Sequence, residues 1–152
     1  MKDDLILLAM ALLVTLGSAL LFSVRPKLVP FAVLGGVIGA GFYILCIELT
    51  SSHFFSNFAG AFAVTAYSEF CAIKLRAPAA IFLMPGNIPL VPGGGLFYTM
   101  KAIITQNGEE LRVQGSKTAF TALGIACGVM VASMIFNYVR KLITHSVSRV
   151  DE

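Results

Sequence analysis

Three prolines and three consecutive glycines stand close together in the second half of the chain. Pro85, Pro89 and Pro92 each lack a backbone N–H, and the glycines at 93–95 carry no side chain. A helix through this region should therefore break, and we expect a new helix to begin after Gly95. The first amides of a helix have no intrahelical partner and bind anions, carboxylates among them. The amides in this position belong to Gly93, Gly94, Gly95 and Leu96.

Hydrogen-bonding side chains flank the expected break. Asn87 precedes it, and Tyr98 and Thr99 follow it, so these three can add directed contacts to a bound carboxylate. The alternative is a kinked helix or a re-entrant hairpin that binds nothing. Three prolines and a triple glycine disrupt a helix more than a kink requires, which favours a binding site.

The composition identifies the solvent of this chain. Its 152 residues are 57% hydrophobic and only 12% charged, and the mean hydropathy is +0.86, whereas soluble domains are about 25% charged. A water-soluble globular domain is excluded, and a bilayer is indicated. Backbone groups freed by a broken helix cannot face lipid, so they must be buried in protein or line a cavity.

Five largely uncharged segments are long enough to cross the membrane. The sequence predicts an all-α membrane protein with about five transmembrane helices, the fourth broken at its Pro/Gly-rich centre, in a single membrane domain (1–152). The segment 101–117 is a loop with a turn signal at 106–110, and its other residues extend the flanking helices. The predicted spans are 5–24, 28–47, 54–73, 77–100 and 118–139.

The basic residues predict the orientation. Seven follow the first, third and fifth spans, and four lie on the other side, so the positive-inside rule places the N-terminus outside and the C-terminus in the cytoplasm. This count requires the fourth segment to cross fully. The seven are Arg25, Lys27, Lys74, Arg76, Arg140, Lys141 and Arg149, and the four are Lys2, Lys101, Arg112 and Lys117.

Small residues repeat on three spans at the spacing that lets membrane helices approach closely. They predict a tightly packed bundle, larger than one chain. The repeats are Gly35 and Gly39 (with Gly36 and Gly41 beside them) in span two, Ala59, Ala63 and Ala66 in span three, and Gly124, Gly128 and Ala132 in span five.

Glu69 is the carboxylate inside a predicted span, and such a group is a candidate for carrying a coupling proton. The favoured alternative is structural, because Glu69 lies close enough to Lys74 and Arg76 to pair with them or to reach water. We predict no metal site, because His53 and His145 have no ligand partner nearby in sequence. The separated cysteines, Cys46, Cys71 and Cys127, are expected to be inert.

The proline and glycine segment resembles a known family. Pro85-Gly86-Asn87-Ile88-Pro89-Leu90-Val91-Pro92-Gly93-Gly94, followed by Tyr98-Thr99-Met100 and preceded by Arg76-x-Pro78, is similar to the signature of the threonine/serine exporter family, in its short five-span C-terminal half. The resemblance implies a bacterial inner-membrane exporter of threonine and serine, or of dicarboxylates such as succinate. It also implies a larger membrane subunit as partner, because this chain lacks the longer half.

Two other functions remain open from the sequence. The chain could be a non-transporting assembly or regulatory subunit, or a homo-oligomeric carrier that acts alone. Catalysis is not expected, since no Gly-x-Ser-x-Gly, His-Glu-x-x-His or phosphate-binding Gly-x4-Gly-Lys-Ser/Thr motif occurs. We therefore predict no catalytic residue, cofactor or nucleic-acid partner, and a secondary transporter driven by an ion or substrate gradient.

Overall fold

The computed structural model describes the backbone of residues 2–147 and the side chains of residues 4–141, and every regular element in this part of the chain is helical. The side chains of Lys2 and His145, and the whole of Arg149, lie outside the described residues. The helices are α1 (Lys2–Leu21), α2 (Val29–Thr50), α3 (His53–Leu75), α4 (Ala80–Asn87), a 3-10 turn (Ile88–Leu90), α5 (Gly93–Ile104) and α6 (Gly108–Val147).

These helices confirm the predicted fold class. Among the described residues, α1, α2, α3 and α6 are each long and apolar enough to cross a membrane, and the bent pair made by α4 and α5 brings the number to five if it forms one span. The first helix ends at Leu21, three residues before the predicted boundary at Val24. The helix ends there because Ser23 takes a left-handed conformation (φ 52°), and the N–H of Val24 donates to the carbonyl of Ala19 at 3.0 Å.

The segment 101–117 is mostly helical. α5 continues to Ile104, and α6 begins at Gly108 after a three-residue turn. Asn107 caps α6, since its Oδ1 accepts the N–H of Glu110 at 3.3 Å. The expected extension of the flanking helices is therefore confirmed.

The small residues of spans two and five lie where helices meet. Gly36 faces Thr15 of α1, and Gly39 faces Val64 of α3. A Cβ on Gly124 would lie 2.6 Å from the carbonyl oxygen of Phe54, and one on Gly128 only 2.5 Å from that of Phe58. α6 therefore lies directly against the backbone of α3, as the glycine spacing predicts.

The small-residue face expected on span three is not the one that packs. α3 buries another side of the helix, which includes Gly60, Ala61 and Val64. Ala59, Ala63 and Ala66 are half-buried and line an apolar groove beside Ile38 and Phe42 of α2. Gly60 lies against Gly39 of α2, so the side of α3 that carries Gly60 faces α2. The three alanines therefore lie at the edge of the contact between α2 and α3.

The break in the fourth span lies at the second and third prolines. Pro85 was expected to break the helix, but α4 continues through it to Asn87, and Pro85 and Gly86 are buried where α4 packs against α2 and α3. α5 begins at Gly93, not after Gly95, with Pro92 preceding its first turn. Pro92 fits this position because the N–H groups at a helix start have no intrahelical acceptor in any case.

The axis of the chain turns by 54° at this break, between Ala80–Leu90 and Gly93–Ile104. A re-entrant hairpin would reverse direction, whereas α5 continues away from the start of α4. The two halves together advance roughly 28 Å along the axis of α4, close to the ~30 Å hydrocarbon thickness. The geometry is that of one bent span.

Candidate substrate site

A cavity of about 400 Å³ lies beside the helix break. Its walls come from α1, α2, the start of α3, α6 and the segment Pro89–Pro92, which connects the two halves of the fourth span. The volume falls within the range of about 300–1,000 Å³ that is usual for small-molecule sites. The unwound backbone thus meets a cavity, as a broken membrane helix requires.

The polar side chains of this cavity come from three helices. They are Tyr43 of α2, His53 and Asn57 of α3, and Thr121 of α6. Asn57 is 3% exposed, and its Nδ2 donates to the carbonyl oxygen of His53 at 2.7 Å. This hydrogen bond fixes the amide at the first turn of α3, so the cavity has polar groups held in place before a ligand arrives.

Leu90 fixes the break itself. Its side chain is 7% exposed and packs against Ala61 and Val64 of α3. The next residue, Val91, is extended and donates its N–H to the carbonyl of Ile88 at 3.1 Å. One buried leucine therefore holds the unwound segment beside the cavity.

The positive end of α5 lies at the edge of the same cavity. Val91 and Pro92 line it, and the first turn of α5 begins at the next residue. Of the four amides expected to bind a carboxylate, that of Gly93 donates to Val91 O (2.7 Å) and that of Leu96 to Pro92 O (3.0 Å). The amides of Gly94 and Gly95 lie in the first turn, where the helix supplies no acceptor.

The sequence-predicted side chains do not converge on the cavity. Tyr98 and Leu96 are exposed on α5, and a Cβ on Gly93 or Gly94 would meet open space. Thr99 is structural, because its hydroxyl donates to the carbonyl of Gly95 at 2.7 Å. It also faces Thr118 of α6, with 3.4 Å between the two hydroxyl oxygens.

Asn87 differs from the other predicted residues. Its Oδ1 is buried and has no hydrogen-bond partner in the part of the chain that the structure describes. Such an atom is unusual in a folded protein, because an unsatisfied buried acceptor costs about 1–3 kcal/mol. Asn87 lies one turn before the break, so a polar group arriving there would satisfy it.

Sequence reasoning missed Tyr43, Asn57 and Thr121. The weak signal was the spacing of His53 and Asn57, which are four residues apart at the start of one helix and so share a face. Nothing in the sequence relates that face to Tyr43 on α2 or Thr121 on α6.

Glu69 lies in a different place. It is half-buried on α3 and lines a second cavity at the other end of the bundle, where α3 joins α4. Among the described residues it forms no ion pair with Lys74 or Arg76. The Nζ atom of Lys74 instead lies 6.0 Å from the centre of the Phe70 ring. The predicted pairing of Glu69 with these two cations is therefore not observed.

The cysteines are separate in the fold, as they are in the sequence. Cys46, Cys71 and Cys127 are free, and Cys71 belongs to a buried apolar cluster with Phe82 and Ala32. Within the described residues, no group of three or more His, Cys, Asp or Glu side chains is placed to hold a metal ion.

A bundle of apolar helices with a broken helix pair beside a cavity that contains a few polar side chains is typical of polytopic membrane proteins built like secondary transporters. A comparison with protein families agrees, since the family described as "Threonine/Serine exporter, ThrE" matches residues 7–135. The chain belongs to the threonine/serine exporter family. No curated protein and no solved structure matches the sequence.

Proposed function

We propose that this chain is the small subunit of a secondary exporter that moves small carboxylate-bearing metabolites out of the cell. The substrates we propose are threonine and serine, or dicarboxylates such as succinate. The single observation that carries the proposal is the position of the helix break, with Pro89–Pro92 forming a wall of a cavity of about 400 Å³ that also contains four polar side chains.

The cavity suits a small polar anion that also has hydrogen-bonding groups. The first turn of α5 provides the positive end of a helix dipole, which favours a carboxylate at its edge. Tyr43, Asn57 and Thr121 provide neutral donors and acceptors for a hydroxyl or ammonium group. The remaining lining is largely apolar and keeps these contacts away from bulk water.

The proposed partner is a larger membrane subunit of the same family. α1 supports this proposal, because long apolar side chains are exposed all along it. A Cβ placed on Gly17 of α1 or on Gly41 of α2 would also have no neighbour within 4 Å. Lipid satisfies exposed apolar side chains, but glycines on an open helix face fit a further helix better.

The proposed setting is the bacterial inner membrane, with the N-terminus outside and the C-terminus in the cytoplasm. In that orientation the cavity at the break lies toward the outer side, where α2 joins α3. The second cavity, with Glu69, then lies toward the cytoplasm.

Glu69 is proposed as the carrier of a coupling proton, if the exporter is proton-driven. Its distance in the fold from the cavity at the break means that it would act through a change of conformation and not by direct contact. In a Glu69→Gln variant, a coupling role predicts that export no longer responds to an imposed pH gradient, while export down a substrate gradient continues.

The proposal is tested by reconstitution into proteoliposomes. The chain alone and the chain co-purified with the larger family member from the same genome are loaded with labelled threonine, serine or succinate, and initial efflux is measured. Efflux only from the two-subunit vesicles is expected. Efflux from the chain alone would favour a homo-oligomeric carrier, and no efflux from an intact complex would favour a non-transporting subunit.

A further inference from the structure

The second cavity contains two arginines that the transport proposal does not use. It measures about 720 Å³ and lies between the end of α3, the segment that joins α3 to α4, and the second half of α6. The lining residues that matter here are Glu69, Ile73, Arg76, Phe136, Val139 and Arg140.

Two guanidinium groups and one carboxylate share this cavity with an otherwise apolar wall. Arg76 and Arg140 line the cavity together with the single carboxylate of Glu69. A guanidinium presents a planar set of donors that matches phosphate oxygens in a bidentate geometry. The wall formed by Ile73, Phe136 and Val139 would gain nothing from a soluble anion, but it matches the glycerol and acyl portion of a lipid.

The position of the cavity also fits a lipid headgroup. Arg76 ends the third span and Arg140 lies near the end of the fifth, so both cations are at the same membrane boundary. Basic pockets between transmembrane helices at such a boundary are typical sites for anionic lipid headgroups.

The backbone of Arg76 fixes where its side chain leaves the end of α3. Arg76 ends α3 in the left-handed region (φ 50°, ψ 44°), and its N–H donates to the carbonyl of Ala72. Glycine is the usual residue at such a helix end, because a side chain there costs about 1 kcal/mol. Ser23, Ser51 and Gln106 take the same conformation where other helices of this chain end, and at Arg76 it places a guanidinium at the cavity.

From these observations we propose that the cavity between α3 and α6 binds the phosphate headgroup of an anionic phospholipid, with Arg76 and Arg140 as its ligands. Glu69 limits the affinity, because its carboxylate faces the same cavity and repels the phosphate. This site is separate from the cavity at the helix break and does not depend on the transport proposal.

The test uses the full-length chain in detergent, with phosphatidylglycerol and phosphatidylcholine at equal concentration, and counts bound lipids by native mass spectrometry. Arg76→Gly is the main variant, because glycine suits the left-handed backbone and the fold should be retained. We expect phosphatidylglycerol binding to weaken about fivefold, the contribution of one basic residue near an anionic headgroup. Arg140→Gln should weaken it similarly.

Lys74→Gln is the matched control. Lys74 lies at the same end of α3 but does not line the cavity, and its ammonium faces the Phe70 ring. It should leave phosphatidylglycerol binding unchanged. An equal loss in Lys74→Gln and Arg76→Gly would show general attraction to the membrane boundary and overturn the proposal.

Glu69→Gln provides a test with the opposite sign, since removing the carboxylate should strengthen phosphatidylglycerol binding. If phosphatidylglycerol binding were unchanged or weaker in Glu69→Gln, the carboxylate and the lipid phosphate would not lie in the same cavity, which would contradict the proposal. Equal binding of phosphatidylcholine by the unmodified chain would also overturn the proposal. Full displacement of the lipid by millimolar inorganic phosphate would assign the site to a free anion and exclude a lipid site.

Discussion

Gly39 of α2 and Gly60 of α3 cross with their backbones in direct contact. A Cβ on Gly60 would lie 3.0 Å from the carbonyl oxygen of Gly39 and 3.1 Å from Cδ2 of Leu90. The contact between α2 and α3 therefore also packs against Leu90, the buried residue of the helix break. The position of the candidate site depends on these two glycines.

Gly60→Ala should consequently destabilise the fold by about 1–3 kcal/mol, because the added methyl group has to displace backbone atoms. Thermal unfolding of the purified chain in detergent measures the effect. Gly41→Ala is the control, since it adds a methyl group to α2 with nothing within 4 Å. Equal stability of the two variants would contradict the close crossing.

Tyr43→Phe should lower export about fivefold at low substrate concentration, through loss of one hydrogen bond to the substrate in the cavity. Tyr98→Phe removes the same hydroxyl from an exposed residue of α5 that does not line the cavity, and it should leave export unchanged. Initial efflux from cells that also express the larger subunit, normalised to membrane protein level, compares the two. If export fell in Tyr98→Phe and not in Tyr43→Phe, the substrate would bind at the residues predicted from the sequence and not in the cavity.

Gly94→Val tests the positive end of α5. The new side chain meets no atom within 4 Å, so the fold should be unaffected, but it places a branched group next to the first-turn amides proposed to face the carboxylate. Export should therefore collapse while expression stays normal. Gly108→Val makes the same change in the first turn of α6, also in open space, and should leave export intact. Near-normal efflux from a stable Gly94→Val complex would remove the helix terminus from the site.

The bent fourth span predicts an odd number of crossings. A reporter fused after Glu152 should give a cytoplasmic signal, and a cysteine introduced at Gln106, in the turn between α5 and α6, should react with an impermeant thiol reagent from outside. The measurement uses whole cells with the native cysteines replaced by serine. A periplasmic signal at the C-terminus would mean that segment four is re-entrant or that the topology is inverted.

The break could be predicted from sequence because its cause is local. A proline lacks its N–H in any fold, so Pro89 and Pro92 each weaken a helix whatever surrounds them. The expected start of α5 was wrong by three residues, since glycines are tolerated in a first helical turn. The expectation for Pro85 was also wrong, because burial of α4 against its neighbours outweighs one lost hydrogen bond.

The cavity could not be predicted, because it is a product of packing between distant segments. Tyr43, Asn57 and Thr121 lie on three helices, and their convergence depends on how far each helix is rotated about its own axis. That rotation follows from the glycine contacts at Gly39 with Gly60 and at Gly124 with Phe54. Spacing along a sequence identifies a small-residue face but not the face it meets.

The length of α6 has a mechanical consequence. Its 40 residues extend about 60 Å, twice the hydrocarbon thickness, and α5 packs mainly against it. α6 can therefore tilt about its glycine contact with α3 (Gly124 and Gly128), and α5 packs against the part of α6 that precedes this contact. A tilt of about 10° would move the start of α6, which lies ~24 Å from Gly124, by ~4 Å. The end of α5 would move with it, whereas Val91 and Pro92, which share the cavity with Thr121 close to the glycine contact, would keep their place.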